Sequence, residues 1–309
     1  MTAPRGLLAL LGPTASGKTA LAVSLAERLG GEVLSADAFA VYRGLDAGTA
    51  KPTLAERRGV PHHFVDERDP TDPWSAGDFA RQARARAREI LARGRLPILC
   101  GGTGFYVRAF FEGLFDGPRR DDRLRAALSA VAARRGAPFL KRSLALLDPE
   151  SAGNVAPNDA ARAIRFLEIA LSTGRRPSEL FRTRPGERWE EPSVRLYLSL
   201  PRPALYERIS DRFHRSMAYA LPEEVRRLLD AGVPAAAAAF AAIGYRETVD
   251  LLEGRLDRAE WGERVLRATR RFAKRQETWF RAEESLVRIP ADSPERLDIA
   301  IAAARSLFF

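Results

Sequence analysis

The sequence predicts an α/β fold: a parallel sheet core of the P-loop type, carrying a helical insertion domain and C-terminal helices. Three observations predict it. Short apolar runs alternate with stretches of helical period through the N-terminal third. The first run, Leu7-Leu8-Ala9-Leu10-Leu11, leads into Gly12-Pro13-Thr14-Ala15-Ser16-Gly17-Lys18-Thr19, which fits the phosphate-loop pattern G-x-x-x-x-G-K-[ST]. Strand character then vanishes between residues 116 and 193 and returns at Val194.

In chain order, Leu7–Leu11 is the first strand, and Ala20–Leu29 is the helix that follows the loop. Glu32–Asp37 is a second apolar run ending in a carboxylate, and His62–Asp66 a candidate third strand. A helix is expected over Asp78–Arg95. Phe79, Ala83, Ala87, Ile90 and Leu91 form one face, Arg81, Arg84 and Arg88 another, and Asp78 is the candidate cap. Leu96–Cys100 is a further buried strand running into Gly101-Gly102-Thr103-Gly104. Helices are expected at 123–134, 138–147 and 159–173, a strand at 194–200, and helices at 204–217, 222–231 and 259–283. The alanine run 235–239 belongs to a helix or its approach. Residues 1–115 and 194–309 therefore make the core, and 116–193 the insertion.

The chain has 309 residues, enough for a core plus an inserted domain. It carries 50 Lys and Arg against 40 Asp and Glu, and only Lys18, Lys51, Lys141 and Lys274 are lysines. A GC-rich genome explains a high Arg/Lys ratio but not the net positive charge. That excess implies an acidic partner, either nucleic acid or an acidic small substrate. Cys100 is the single cysteine, so neither an internal disulfide nor a Cys-based zinc site can form. Arg5 interrupts the N-terminal apolar stretch, and Leu7–Leu11 is too short for a membrane span, so a cytoplasmic, non-membrane protein is expected.

The loop Gly12–Thr19 offers backbone N–H groups and a helix N-terminus to an anion. Lys18 adds a mobile positive charge, and the Thr19 hydroxyl is a candidate ligand for a magnesium ion. Ligands of open α/β sheets bind at the carboxyl ends of the strands. The loop, Asp37 and Thr103 all fall at such ends and should converge. Asp37 is there either as a general base or as an ordinary strand-end carboxylate. Lys51 is either a phosphate contact or a surface lysine. His62 and His63 are adjacent, lack ligand spacing, and read as structural.

Several segments together resemble the tRNA dimethylallyltransferases, also called tRNA isopentenyl transferases. They are Gly12–Thr19, Ser35-Ala36-Asp37, Val41-Tyr42-Arg43-Gly44-Leu45-Asp46, Gly48-Thr49-Ala50-Lys51-Pro52, Pro61-His62-His63 and Trp74-Ser75-Ala76. Gly101–Tyr106, Pro157-Asn158-Asp159 with Arg162 and Arg165, Ile243-Gly244-Tyr245 and Ala273-Lys274-Arg275-Gln276 follow in the family's order. The resemblance implies transfer of a dimethylallyl group from dimethylallyl diphosphate to N6 of the adenosine beside the anticodon. It implies Asp37, Thr19 and Arg212 as catalytic residues. It also implies Gly12, Pro13, Thr14, Ala15, Ser16, Gly17, Lys18 and Thr19 as the diphosphate cradle, with Mg2+ on Thr19. For tRNA it implies contacts at Asp37, Ala38, Phe39, Ala40, Thr103, Arg125, Ala161, Arg162 and Arg165, with the insertion as the tRNA-contacting domain of a monomer.

Bland alternatives stand beside these roles. Arg212 could be a solvated helix arginine, Thr103 a turn residue, and each insertion arginine a solvated charge. Arg267–Arg281 is either a nucleic-acid face or a solvated one. The sequence departs from the family at Ala38 and Ala40, where many members carry serine and glutamine, and at Ala161, where glutamine is common. It shows no C-terminal Cys/His zinc module, as in the short bacterial form. The main rival is a P-loop kinase binding ATP. A magnesium-binding Asp usually ends a second strand in that class, whereas Leu96–Cys100 ends in Gly-Gly-Thr; Asp37 could still serve as that carboxylate, so the sequence does not exclude the kinase. A second rival is a non-catalytic RNA-binding module with a relic loop, against which Lys18, Thr19 and Asp37 are intact.

Overall fold

The computed structural model describes residues 3–115, 117–118, 120–182 and 186–308. The chain divides into two compact units, Met1–Phe111 with Trp189–Phe309, and Glu112–Arg188. Asp116, the boundary expected from the sequence, lies outside the described residues. The return boundary falls at Trp189 rather than Val194, because Trp189 stacks on Phe110 and its N–H donates to the Phe111 carbonyl at 3.2 Å.

The order is β1 Leu7–Leu11, α1 Lys18–Leu29, β2 Gly31–Ala36, α2 Leu54–Arg57, β3 His62–His63, α3 Ala76–Ala92, β4 Leu96–Gly101 and α4 Gly104–Glu112. The second unit holds α5 Asp122–Arg135, α6 Ala137–Leu147, α7 Pro149–Gly153, α8 Ala160–Thr173 and α9 Pro177–Arg182. The first unit resumes with β5 Ser193–Ser199 and α10 Arg202–Arg212. A π-helical turn, Phe213–Met217, then leads straight into α11 Ala218–Asp230. After a 3-10 turn at Ala238–Ala241 come α12 Tyr245–Leu252, α13 Arg258–Arg281, β6 Val287–Pro290, α14 Arg296–Ala304 and a last 3-10 turn, Arg305–Phe308.

The strands form one sheet in the order β3-β2-β4-β1-β5-β6, and every pairing is parallel. The α/β expectation therefore holds. β1 and β4 are buried along their whole length, as their unbroken apolar runs require of strands covered on both faces. Leu8 and Leu10 share one core with Leu21 and Leu25 of α1, Leu205 and Ile209 of α10, and Ala300 and Ala304 of α14.

Register positions the site. Leu11 of β1 and Ala36 of β2 both pair with Gly101 of β4. The three strands thus end in one row, and Gly12, Gly102 and Asp37 are the next residue of each. Neighbouring strands lie about 4.8 Å apart, so Gly12 and Asp37 leave the sheet roughly 10 Å from each other, on either side of Gly102.

Several elements differ from expectation. The third strand is two residues long, because Phe64 and Asp66 adopt left-handed φ of 62° and 59°, which ends an extended strand. Asp78 is not the cap of α3. Ser75 is, accepting the Asp78 N–H at 3.1 Å while its hydroxyl donates to the Asp78 carboxylate at 2.6 Å. The helices expected at 204–217 and 222–231 are one helical run through the π turn. The alanine run reaches only a 3-10 turn. β6 and α14 carried no sequence expectation.

His62 and His63 are structural. Arg86 donates to His63 Nδ1 at 2.7 Å, so Nε2 carries the hydrogen and donates to Glu32 at 2.7 Å. Glu32, buried at the start of β2, is also held by Arg93 at 2.9 Å. Among the described residues no three His, Cys, Asp or Glu side chains cluster as a metal site, and no helix is long and apolar enough to cross a membrane.

In the second unit α5, α6 and α8 surround a small core of Leu140, Leu144, Val155, Ala163 and Leu167. Two buried carboxylates organise it. Asp148 caps α7 through the Ser151 N–H at 3.1 Å and accepts the Ser178 N–H at 2.8 Å. Glu168, completely buried, accepts the Asp121 N–H at 2.7 Å and takes two arginines described below.

Candidate active site

The loop after β1 turns on three left-handed residues, Gly12, Ala15 and Gly17, with φ of 153°, 63° and 91°. Gly17 sits at the N-cap of α1 and supplies no side-chain acceptor, so the first-turn N–H groups of α1 are left for an external anion. The Ser16 hydroxyl is buried without a hydrogen-bond partner, a donor whose partner must come from outside the protein. Thr19 is an exposed residue.

Lys18 folds back on the loop, its Nζ donating to the Pro13 carbonyl at 2.6 Å. Burial of the ammonium pushes its pKa down to about 8, against a smaller upward pull from Asp37. Arg212, the last residue of α10, reaches the Thr14 hydroxyl at 3.3 Å through Nη1. Burial lowers its pKa too, and Asp37 opposes the shift. The π turn that follows Arg212 is an element often found at functional sites.

Asp37 leaves β2 in a tight turn. Its Oδ1 accepts the N–H groups of Phe39 at 2.8 Å and Ala40 at 3.2 Å, which locks the side chain and leaves Oδ2 free of those bonds. Its charge acts on Lys18, Arg212, Cys100 and Tyr106 alike. The structure thus brings Asp37, Lys18 and Thr14 together at the strand ends, and α10 adds Arg212, which the strand-end reasoning did not include. Cys100 lies beneath as a buried thiol, pushed up to about 11 and so inert at neutral pH. The Thr103 carbonyl accepts the N–H groups of Tyr106 and Val107, so Thr103 opens α4 beside the loop.

Other predicted contacts divide. Ala38 and Phe39 are part-exposed. Ala40 is buried, with its carbonyl on the Asp66 N–H at 3.2 Å. Lys51 is neither a phosphate contact nor a surface lysine. Its buried Nζ donates to the Tyr42 carbonyl at 2.8 Å, Asp46 at 2.8 Å and Asp66 at 2.6 Å, which spends all three hydrogens on pinning the segment after Asp37. In the second unit, Arg125 makes a two-pronged contact with Glu168 at 2.9 and 2.8 Å, and Arg165 adds a third bond at 2.6 Å. Burial would raise the Glu168 pKa, but these bonds outweigh it and hold the group at about 2. Arg162 and Ala161 are exposed. The Arg162 guanidinium makes a long ion pair, 3.6 Å to Asp159, and donates to the Asn154 carbonyl at 3.4 Å.

Sequence reasoning gave no role to Gln276, although it quoted the residue within a motif. Its side chain accepts the Thr14 N–H at 2.8 Å and donates to the Gly102 carbonyl at 3.0 Å. No local signal could reveal contacts across such sequence distances.

Fold and site together define a P-loop α/β protein whose anion loop faces a carboxylate at the next strand ends. The chain belongs to the IPP transferase family, whose profile matches residues 40–283. It is 48% identical over 292 residues to a tRNA dimethylallyltransferase of Anaeromyxobacter dehalogenans, covering 94% of this chain and 97% of that one. It is 45% identical over 282 residues to tRNA dimethylallyltransferase 1 of Trichlorobacter lovleyi, covering 91% and 92%. Among solved structures it resembles the tRNA isopentenylpyrophosphate transferase of Bacillus halodurans, with TM-score 0.72, 38% identity and coverage of 98% and 97%.

Proposed function

We propose that this chain transfers a dimethylallyl group from dimethylallyl diphosphate to N6 of the adenosine adjacent to the anticodon of tRNA, releasing diphosphate. One observation carries the reading. An anion site with two part-buried cations, Lys18 and Arg212, faces a turn-locked carboxylate, Asp37, that acts on both. Family membership supplies the donor and acceptor classes.

The chemistry follows from the charges. The bond between C1 of the allylic donor and the bridging oxygen breaks, and its electron pair leaves with diphosphate. The N6 lone pair forms the new bond to C1, and the N6 proton passes to the free oxygen of Asp37. Negative charge grows on the leaving oxygen, where the uncapped N–H groups of α1, the Ser16 hydroxyl, Lys18 and Arg212 stabilise it. Thr19 suits a magnesium ion. The residue is exposed, and such ions take few protein ligands beside substrate phosphates and water. When bound, the ion would neutralise diphosphate charge.

The target adenosine must leave its stack to reach Asp37. Ala38, Phe39 and Thr103 flank that position, and exposed Arg162 is the insertion's best candidate phosphate contact. All of these catalytic groups come from one chain, which supports a monomer, and a tRNA substrate supports work in the cytoplasm. The test uses purified protein, dimethylallyl diphosphate, magnesium and an anticodon stem-loop. The RNA should gain one five-carbon unit on that adenosine. RNA of unchanged mass with every tRNA tried would refute the proposal.

A further inference from the structure

We infer that Gln276 is a positioning residue that, for the transfer proposed above, sets the separation between the phosphate-binding loop and the Gly102-Thr103-Gly104 turn, and so the alignment of donor with acceptor. β1 and β4 pair through Leu11 and Gly101, and their strand ladder ends there. Beyond it the two loops would be free to part. The Gln276 amide, only 6% exposed, bridges them instead, accepting from the Thr14 N–H at 2.8 Å and donating to the Gly102 carbonyl at 3.0 Å.

The packing is equally specific. A Cβ on Gly102 would collide with Gln276 Nε2 and stand 2.7 Å from the Gly12 carbonyl oxygen. A Cβ on Gly104 would collide with the indole of Trp279, which lies three residues beyond Gln276 on the same face of α13. Neither glycine has positive φ. Gly102 and Gly104 are therefore glycine because two side chains of α13 press on them, while Gly101 is glycine because a Cβ there would collide with the Ala36 carbonyl of β2.

Thr14 is gripped twice, at its N–H by Gln276 and at its hydroxyl by Arg212. Its N–H is thus withdrawn from the anion-binding set, and Thr14 becomes a strut between the leaving-group cation and the acceptor turn. Transfer between two bound partners is sensitive to such spacing, since a misplacement of about 1 Å can cost roughly 100-fold in rate.

The test compares Gln276→Leu, which keeps bulk and loses both bonds, with Gln276→Glu, which keeps only the acceptor until its carboxyl is protonated. Thr269→Val, which removes a different buried polar group of α13, is the control for destabilisation. Turnover, KM for donor and RNA, and thermal unfolding are measured for each. Gln276→Leu should lower kcat by about 30- to 100-fold while both KM values stay within about threefold. The kcat of Gln276→Glu relative to wild type should rise as pH falls, because the protonated carboxyl again donates to the Gly102 carbonyl. Thr269→Val should turn over like wild type.

A Gln276→Leu enzyme within about threefold of wild-type kcat would overturn the inference. So would a kcat loss that Thr269→Val shares at equal loss of stability, or a Gln276→Glu ratio flat with pH. If wild type itself transfers no prenyl group, the transfer proposal fails; an active wild type with an indifferent Gln276 sinks the positioning role alone.

Discussion

Arginine does different work in the two units of this chain. At the sheet end Arg212 is part-buried, has no ion pair among the described residues, and its side chain reaches only the Thr14 hydroxyl. In the insertion Arg125 and Arg165 are equally specific in their contacts, but both are spent on the buried carboxylate of Glu168. A buried cation without a protein partner is costly, and a bound anion offsets that cost. A cation already matched by a buried carboxylate has most of its interaction energy committed. The difference teaches that unmatched charge, rather than dense charge, marks the ligand site of a basic protein.

The comparison breaks or sharpens most strongly at Asp37. Asp37→Asn should lower kcat by about 10²- to 10⁴-fold with donor binding retained, measured by single-turnover transfer. Full activity would move the base elsewhere. Lys18→Met comes next, with an expected loss of about 10²-fold in kcat. Lys18 also gives a pH signature. Its free pKa of about 8 lies below the usual lysine value, and a bound diphosphate favours the ammonium. Donor binding should therefore take up a proton above pH 8, and affinity should fall as pH rises through about 8. Calorimetry in buffers of different ionisation enthalpy reads that proton, and Lys18→Met should abolish it.

In the insertion the expected effects are on stability. Glu168→Gln should cost on the order of 2–3 kcal/mol in chemical denaturation at neutral pH, because two arginines lose a shared buried anion. The Glu168 carboxyl is held at about 2, below its ordinary 4.5, so its contribution is complete above about pH 4.5 and is lost as pH falls through about 2. The gap between wild type and Glu168→Gln should close over that window. The smallest effect belongs to exposed Arg162. Arg162→Ala should lower the salt slope of tRNA binding by about one and leave the melting temperature unchanged. Arg125→Ala should do the reverse, lowering stability more than it changes the slope.

Much of this was legible in the sequence where chemistry is local. β1 and β4 announce themselves as unbroken apolar runs, β2 by the short apolar stretch around Val33-Leu34 that leads to Asp37, and the loop Gly12–Thr19 by its pattern and context. Asp37 follows from the strand-end rule. β6 was not legible because only Ile289 of its four residues is buried, so it lacks an apolar signal. The π turn after Arg212 breaks the helical period that sequence reading relies on. Lys51 and Gln276 lie in recognisable motifs, yet their roles depend on partners brought together by the fold. Lys51 meets Asp66 across a loop, and Gln276 meets Gly102 and Thr14 across most of the chain. The insertion arginines were read as a ligand face because Glu168 gives no sign in sequence that it will be buried between them.

The central claim is that Gly12–Thr19 cradles the diphosphate of a prenyl donor, a leaving group, rather than the triphosphate of ATP. Titration calorimetry of the magnesium-loaded protein with each ligand tests it directly. Dimethylallyl diphosphate should bind at least about tenfold more tightly than ATP, a difference of roughly 1.4 kcal/mol, and Lys18→Met should weaken that binding without abolishing it. Tighter binding of ATP, with no affinity for dimethylallyl diphosphate, would contradict the account.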